Sequence, residues 1–552
     1  MKGSFLPEWM RQYEKGYIKD DVTAGIIVAV MLVPQGMAYA MLAGMPPVTG
    51  LYASIVPILI YALIGSSRQL AVGPVAVVSL LVYAGVSPLA EPGSSEYITL
   101  AVVLMMMVGL LQLLMGVLKL GFVVKFFSHA VISAFTSAAA IIIAFSQLKH
   151  VLGVPLEEEQ FLPMVVEAAS RLTEVNGWAF LIAAASILLL LVSKKWIPWI
   201  PGPLLVVAAG TLFVYFSGLG QQVSIIEDVP SGLPGFAFPA VTVDHLIQLA
   251  PTALTITFIG FMESFAMAKV IAAKENYRIH ANRELAGLGA ANAGGAFFGG
   301  FPVTGGFSRS AVNYESGAKT PLSSIVTAFS IMLTLLFLTS LFYYLPNAVL
   351  AAIIIVAVYK LVDIKEAKTL FKLRRIDGIV WTATFAGTLI LGVETGIIAG
   401  IIFSLVVFIW QSAYPHTAEL GYVESDEVLR NIERFPDAVV KKDTLMLRID
   451  APLYFANAAF AEEKLETLIY ERAELKRIVL DFSGVNSVDA VAVEEVTRWK
   501  KEWEEKGLEL VIVEMRGPVR DVFMRAGWRE KDLHIPLRYA EEQYFDSTRK
   551  AR

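Results

Sequence analysis

Between Asp21 and Ser412 the sequence is a succession of apolar runs, with charged residues confined almost wholly to the short gaps between them. Each run is comparable to the about 20 apolar residues that a helix needs to cross the hydrocarbon layer of a bilayer. From Ala418 onward the pattern reverses, as in AEEKLETLIYERAELKR at 461–477. Only 17% of all residues are charged, against about 25% in soluble domains, and the deficit falls before Ser412. Residues 1–415 therefore read as an α-helical polytopic membrane protein, and residues 418–545 as a soluble α/β domain. The N-terminal stretch MKGSFLPEWMRQYEKGYIKDD has no early apolar core and does not read as a signal peptide. With no cysteine, disulfides and thiolate metal sites are excluded. The formal net charge of -5 gives no reason to expect a nucleic-acid partner.

Fourteen segments are predicted: 22–43, 47–64, 73–87, 97–118, 127–148, 177–193, 201–217, 246–271, 283–299, 306–317, 321–342, 346–361, 376–392 and 394–412. Loop charges give the orientation, since basic residues concentrate on the cytoplasmic side. With the N-terminus inside, the inside loops carry Arg68, Lys119, Lys125, Lys194, Lys195, Lys274, Arg278, Lys319 and the cluster from Lys365 to Arg375. The outside loops carry Glu91, Glu96, Glu157 to Glu159, Glu227 and Asp228; Arg171 and Lys149 are the basic residues found there. An even count places the soluble domain inside as well.

Fourteen segments divide into seven and seven, and halves with an odd number of spans are inverted relative to one another. The repeats are expected near 20–217 and 246–412. SHAVISA at 128–134 resembles PNAVLAA at 346–352, an offset of 218, and Pro34 and Pro251 lie 217 apart. The two shortest segments, 73–87 and 306–317, are the third of each half, and each follows a Gly/Pro-marked stretch, RQLAVGP and GGFPVTGG. Interrupted segments at matching positions mark a transporter's binding site. A helix N-terminus has unpaired N–H groups and partial positive charge, so two such ends meeting inside the membrane make an anion site. Pro74 suits a first helical turn. The plainer alternative is that Gly and Pro merely kink two packed helices.

Ser308 and Arg309 open the tenth segment and add a donor and a full positive charge. Glu263 lies in LTITFIGFMESFAMAKV, deep in the eighth span, where an ionised carboxylate is costly. It is a natural proton carrier; the alternative is a permanent ion pair with Arg309. Gln35 and Tyr39 in the first span are four residues apart and share a helix face. They could line a polar cavity or make helix–helix contacts. His129 has no second histidine at ligand spacing, and neither metal nor cofactor is expected.

Three stretches, VPQGMAYAMLAGMPPVTGLYAS (33–54), GPVAVVSLL (73–81) and TGGFSRSAVNYESGAKT (304–320), resemble the SulP family of anion transporters, solute carrier family 26. The resemblance implies fourteen segments in a seven-plus-seven inverted repeat, a core domain moving against a gate domain in elevator fashion, and a homodimer. Carried over by position, it implies that Gln35, Tyr39, Pro74, Val75, Ala76, Phe307, Ser308 and Arg309 face the substrate and that Glu263 couples transport to protons. In a sodium-driven bicarbonate branch the carboxylate is Asp with threonine ligands nearby; here those positions are Met267 and Phe307, poor ligands for a hard cation. SRSAVNY is similar to plant and bacterial sulfate transporters, which implies proton-coupled sulfate uptake across the cell membrane; dicarboxylate and bicarbonate remain alternatives. A non-transporting receptor or scaffold is the alternative of another class.

In the tail, TLMLRID, PLYFA, KRIVLDF and LELVIVEM read as strands, and NAAFAEEKLETLIYERAE, DAVAVEEVTRWKKEWEEKG and PVRDVFMRAG as helices. Strand–helix alternation predicts an α/β layer. IVLDFSGVNSVDAVAVEEV (478–496) resembles a STAS domain, which implies a cytoplasmic protein-binding module. The Ser or Thr that signalling members phosphorylate is replaced here by Ala490. Asp489 also reads simply as a helix N-cap.

Overall fold

The structure is a computed structural model that describes residues 8–537 apart from 12, 123–127, 159, 197–199, 424, 426 and 427. Its contacts separate into two compact units, Met1–Ser404 and Leu405–Arg552.

In hydrocarbon, every backbone N–H and C=O has to be satisfied within the protein, and the first unit meets this with helices. They are α1 (Ile18–Leu42), α2 (Pro47–Tyr52), α3 (Val56–Ile64), α4 (Ala76–Val86), α5 (Ser95–Val117), α6 (His129–Ser146), α7 (Gly177–Trp196) and α8 (Gly202–Ser217) in the first half. The second half has α9 (Val243–Lys274), α10 (Ala281–Ala296), α11 (Phe307–Glu315), α12 (Leu322–Phe337), α13 (Asn347–Val358), α14 (Arg375–Leu391) and α15 (Val393–Ala413). A helix stands at each of the fourteen predicted segments. Among the described residues, seven helical stretches are long and apolar enough to cross a membrane by length and composition. The segment predicted at 47–64 is two helices, broken at 53–55. Two helices outside the predicted segments, Phe161–Ser170 and Ile364–Leu373, join α6 to α7 and α13 to α14.

The element order repeats. Each half opens on a long helix holding an internal proline, Pro34 in α1 and Pro251 in α9. Each then places a two-residue strand before its short helix: β1 (Val72–Gly73) before α4 and β2 (Thr304–Gly305) before α11. The strands pair antiparallel, Val72 opposite Gly305 and Gly73 opposite Thr304, as expected for inverted halves meeting at a pseudo-twofold axis.

The helices sort into two bundles. In the first, α10 lies against α5 and α3, α9 against α5 and α4, and α12 against α1. In the second, α14 lies against α6 and α7 against α13 and α8; α15 joins it where Gly396 and Gly400 let Thr388 and Thr384 of α14 approach.

Two buried carboxylates fasten the ends of the first bundle. Asp21 accepts the N–H groups of Lys319 and Thr320 at 2.7 and 3.0 Å and the Thr320 hydroxyl at 2.6 Å. Glu284 accepts the N–H groups of Ser66 and Ser67 and the hydroxyls of Ser66 and Tyr61. Hydrogen bonds of this kind offset the cost of burying polar side chains.

The second unit carries a five-stranded sheet of order β4-β3-β5-β6-β7, comprising β3 (Thr417–Val423), β4 (Val428–Asn431), β5 (Thr444–Ile449), β6 (Arg477–Asp481) and β7 (Glu509–Val513). β5, β6 and β7 are parallel; β3 and β4 run antiparallel. The helices α16 (Ala458–Tyr470), α17 (Ala490–Glu505) and α18 (Gly517–Arg525) bury Leu465, Trp499 and Phe523 against Leu447, Leu480 and Ile512. The alternate strand residues Met446, Val479 and Val511 form the other face. The PLYFA stretch is not a strand: within it Leu453 makes a single bridge to Val488. Asp489 caps α17, accepting the Ala492 N–H at 2.8 Å.

Candidate functional site

The two short helices start side by side because the strands before them are paired. α4 begins after Val75 and α11 after Gly306, and neither cap residue supplies a side-chain acceptor to the first turn. Both N-termini therefore keep unpaired donors and the positive end of the helix dipole. Pro74 precedes the cap of α4 and does not sit in its first turn; its carbonyl is what the site uses.

Arg309, in the first turn of α11, is 2% exposed. Its Nη1 donates to the Pro74 carbonyl at 2.6 Å, which ties the start of one half-helix to the other. Its Nε and Nη2, also buried, have no hydrogen-bond partner. The guanidinium lies across two glycines: a Cβ at Gly306 would stand 2.8 Å from Arg309 Cζ, and one at Gly73 would stand 3.2 Å from Nη2. Among the described residues no ion pair within 4.0 Å joins Arg309 to Glu263, so the permanent ion pair weighed from the sequence does not form. Tyr39 and Glu263 lie in the neighbourhood of the guanidinium.

The remaining predicted residues differ in burial. Gln35 and Tyr39 of α1 are buried at 5% and 6% exposure, as are Pro74, Val75 and Ala76. Phe307 and Ser308 are exposed, and Glu263 is half-buried. The site thus has a buried cation on one side and an open edge at the first residues of α11.

Sequence reasoning missed the residues that hold the crossing strands. Asn292 of α10 donates to the Val303 carbonyl at 3.0 Å and accepts the Val303 N–H at 2.8 Å, replacing a strand partner next to β2. Gly305 N–H donates to Ser264, Ser264 bonds Thr304, and Thr304 donates to the Gly260 carbonyl, fixing β2 on α9. Ser310 accepts the Ala71 N–H at 2.9 Å, and Asn313 donates to the Gln69 carbonyl at 3.0 Å, fixing β1 on α11. The available signal was a lone Asn inside the apolar, glycine-rich run AGLGAANAGGAFFGG.

A separate cavity of about 350 Å³ lies at the other end of α4. Leu80 and Tyr83 of α4, Ile142 of α6, His150, Glu157 and Glu394 of α15 contribute to its lining. It lies between the two bundles, beyond the far end of the helix whose N-terminus meets Arg309.

Comparison with known proteins places the whole arrangement. Residues 18–384 match the sulfate permease family and residues 435–542 match the STAS domain. The chain is 41% identical over 541 residues to probable sulfate transporter 4.2 of Arabidopsis thaliana, covering 94% of this chain and 79% of that protein. It is 40% identical to the chloroplastic sulfate transporter 4.1 of the same plant, over 95% and 79%. A probable sulfate transporter of Mycobacterium tuberculosis is 32% identical over 94% and 93%. The structure of the mouse solute carrier 26 family member A9 anion transporter superposes with a TM-score of 0.89 at 25% identity, covering 96% of this chain and 92% of that one. The transmembrane domain of the cyanobacterial bicarbonate transporter BicA superposes with a TM-score of 0.62 at 22% identity, over 71% and 98%. Paired half-helices on an inverted repeat, an apolar polytopic unit and a STAS domain after it together make this chain a member of the sulfate permease (SulP) family of membrane anion transporters.

Proposed function

We propose that the chain takes up sulfate with protons, binding the anion between the N-termini of α4 and α11. One observation carries this reading: a buried guanidinium with two unpartnered nitrogens stands between two uncapped helix starts. A buried charge without a full set of partners is costly, and a tetrahedral oxyanion supplies the missing acceptors. Gln35, Tyr39 and Ser308 add neutral donors, and Val75, Ala76 and Phe307 shape the walls. The sulfate transporters among its relatives support the choice of anion.

Glu263 is the coupling residue. An anion entering beside Arg309 also enters the field of Glu263, and two like charges in a weakly polar site repel. Protonation of Glu263 removes that repulsion, so proton and anion bind together and leave together. The bundle bearing α4, α9 and α11 is the core that carries them, and the bundle bearing α6, α13 and α14 is the gate it moves against. The protein works as a homodimer in the cell membrane, with the STAS domain in the cytoplasm available to a protein partner.

The test is radiolabelled sulfate uptake into proteoliposomes with and without an inward proton gradient, competed by fumarate and bicarbonate. Gradient-dependent accumulation that resists both competitors is expected. Accumulation blocked by fumarate or bicarbonate would reassign the substrate, and binding without flux would favour a receptor.

A further inference from the structure

Carboxylates of the membrane unit fall into two kinds. Asp21 and Glu284 are held in one place by backbone N–H donors and hydroxyls. Among the described residues, Glu263 and Glu394 have no such set of donors. Glu394 sits in the first turn of α15, half-buried, lining the cavity beyond α4. Among the described residues it accepts one hydrogen bond, from the Thr252 hydroxyl at 3.2 Å.

That bond joins the two bundles, since Thr252 belongs to α9 and Glu394 to α15. The contact is close by construction. A Cβ at Gly85 of α4 would stand 2.3 Å from Thr252 Cγ2, so the glycine lets Thr252 lie between α4 and α15. Thr252 and Glu263 are eleven residues apart on one helix. Eleven residues make about three turns, so the two share a face some 16 Å apart along the axis. Travel of α9 along its own axis in the direction of its N-terminus would therefore carry Glu263 toward the level of Glu394.

We propose that Glu394 is the proton-loading residue for Glu263. Its carboxylate takes a proton from water in the cavity and passes it to the Glu263 carboxylate when the core bundle approaches. No bond other than O–H forms or breaks, and the proton lost by Glu394 is the one Glu263 gains. A helix first turn also favours a carboxylate for its dipole alone, and a dipole role predicts no effect on the pH dependence of transport. The inference rests on the proton-coupled reading above. Lys149, His150, Glu157, Glu158 and Tyr83 line the same cavity and are the groups whose titration has to be separated from that of Glu394.

The experiment is sulfate uptake by full-length protein in proteoliposomes as a function of the pH on the cavity side. Glu394→Gln is expected to move half-maximal uptake to more acid pH by about one unit, with the KM for sulfate unchanged and Glu394→Asp restoring the profile. Thr252→Val keeps the carboxylate but removes the donor to its ionised form. It favours the protonated acid and is expected to move the profile the other way. Glu157→Gln and His150→Ala are expected to leave the midpoint in place. A wild-type profile in both Glu394→Gln and Thr252→Val overturns the proposal, and so does a midpoint that moves equally in Glu157→Gln. If uptake by the wild type is itself insensitive to pH, the coupling reading fails and takes this one with it. If the wild type responds to pH and Glu263→Gln does not, while Glu394→Gln matches the wild type, only the loading role fails.

Discussion

At Arg309, geometry and charge make separable contributions. Arg309→Ala removes the cation and the tie to Pro74, and is expected to cost at least about 2 kcal/mol of sulfate binding, roughly thirty-fold in Kd. Arg309→Lys keeps the charge but loses the planar fork that reaches the Pro74 carbonyl and an oxyanion together, so it is expected to bind more weakly than wild type. Equilibrium binding in detergent measures both; unchanged affinity in Arg309→Ala would remove the guanidinium from the site. Glu263→Gln is expected to keep sulfate binding and lose gradient-driven accumulation. Glu284 is different in kind. Glu284→Ala strips four donors of their acceptor, and each buried donor left unsatisfied costs about 1–3 kcal/mol. A loss of thermal stability is expected before any change in coupling, read as a lowered Tm in detergent with and without sulfate. Arg309 and Glu263 were legible in the sequence because ionisable groups inside apolar runs are rare. Asp21 and Glu284 were not singled out, because they lie near segment ends, where a carboxylate is ordinary until its backbone partners are known.

Among the elements, periodicity and Gly/Pro punctuation located the half-helices but not what precedes them. Two residues of strand leave no alternating pattern, so the β1–β2 pairing that brings the helix starts together was invisible. Asn292 stood out only as a lone polar residue in an apolar run; that its partner is a backbone group eleven residues away left no pattern. The break at 53–55 is marked in the sequence only by Ser54 and by Pro57, which falls in the first turn of the second helix. In the soluble unit, PLYFA has strand-forming residues, but Asn457 draws the chain into a turn by accepting the Tyr454 N–H and donating to the Pro452 carbonyl. One contact in this unit is pH-dependent. Burial raises the Asp450 carboxyl, but hydrogen bonds from Arg448 and His416, with their positive charges, outweigh it and hold it below the ordinary value of 3.8. A depressed carboxyl stabilises the fold above its unfolded value and loses that contribution as the pH falls through the folded one. Asp450→Asn is therefore expected to flatten the acid limb of stability below about pH 4. The cost at neutral pH should stay under about 1 kcal/mol, because the pair is partly exposed. Hydrogen exchange across β5 in the full chain at pH 3 and 7 measures it; an unchanged acid limb would place the sensitivity elsewhere.

At the scale of the whole molecule, the inverted repeat has a consequence for the two faces of the membrane. A pseudo-twofold axis in the membrane plane exchanges the faces, so each half presents to one side what the other presents to the opposite side. The halves are distinguished by their loops, and the orientation proposed from the loop charges would put the cavity beyond α4 outside and the STAS domain inside. The chain has no cysteine, so single cysteines report on this directly. Ser146 lines the cavity, and Tyr470 on α16 is 93% exposed. In sealed cells, Ser146→Cys is expected to react with a membrane-impermeant maleimide from outside, and Tyr470→Cys only after permeabilisation. Reaction of both from one side would break the span count, because the nine predicted segments between Ser146 and the soluble domain require the two to lie on opposite sides. Reaction of Tyr470→Cys from outside with Ser146→Cys protected would invert the molecule. It would turn the cavity, and with it Glu394, toward the cytoplasm, and the proton that loads Glu263 would then come from within.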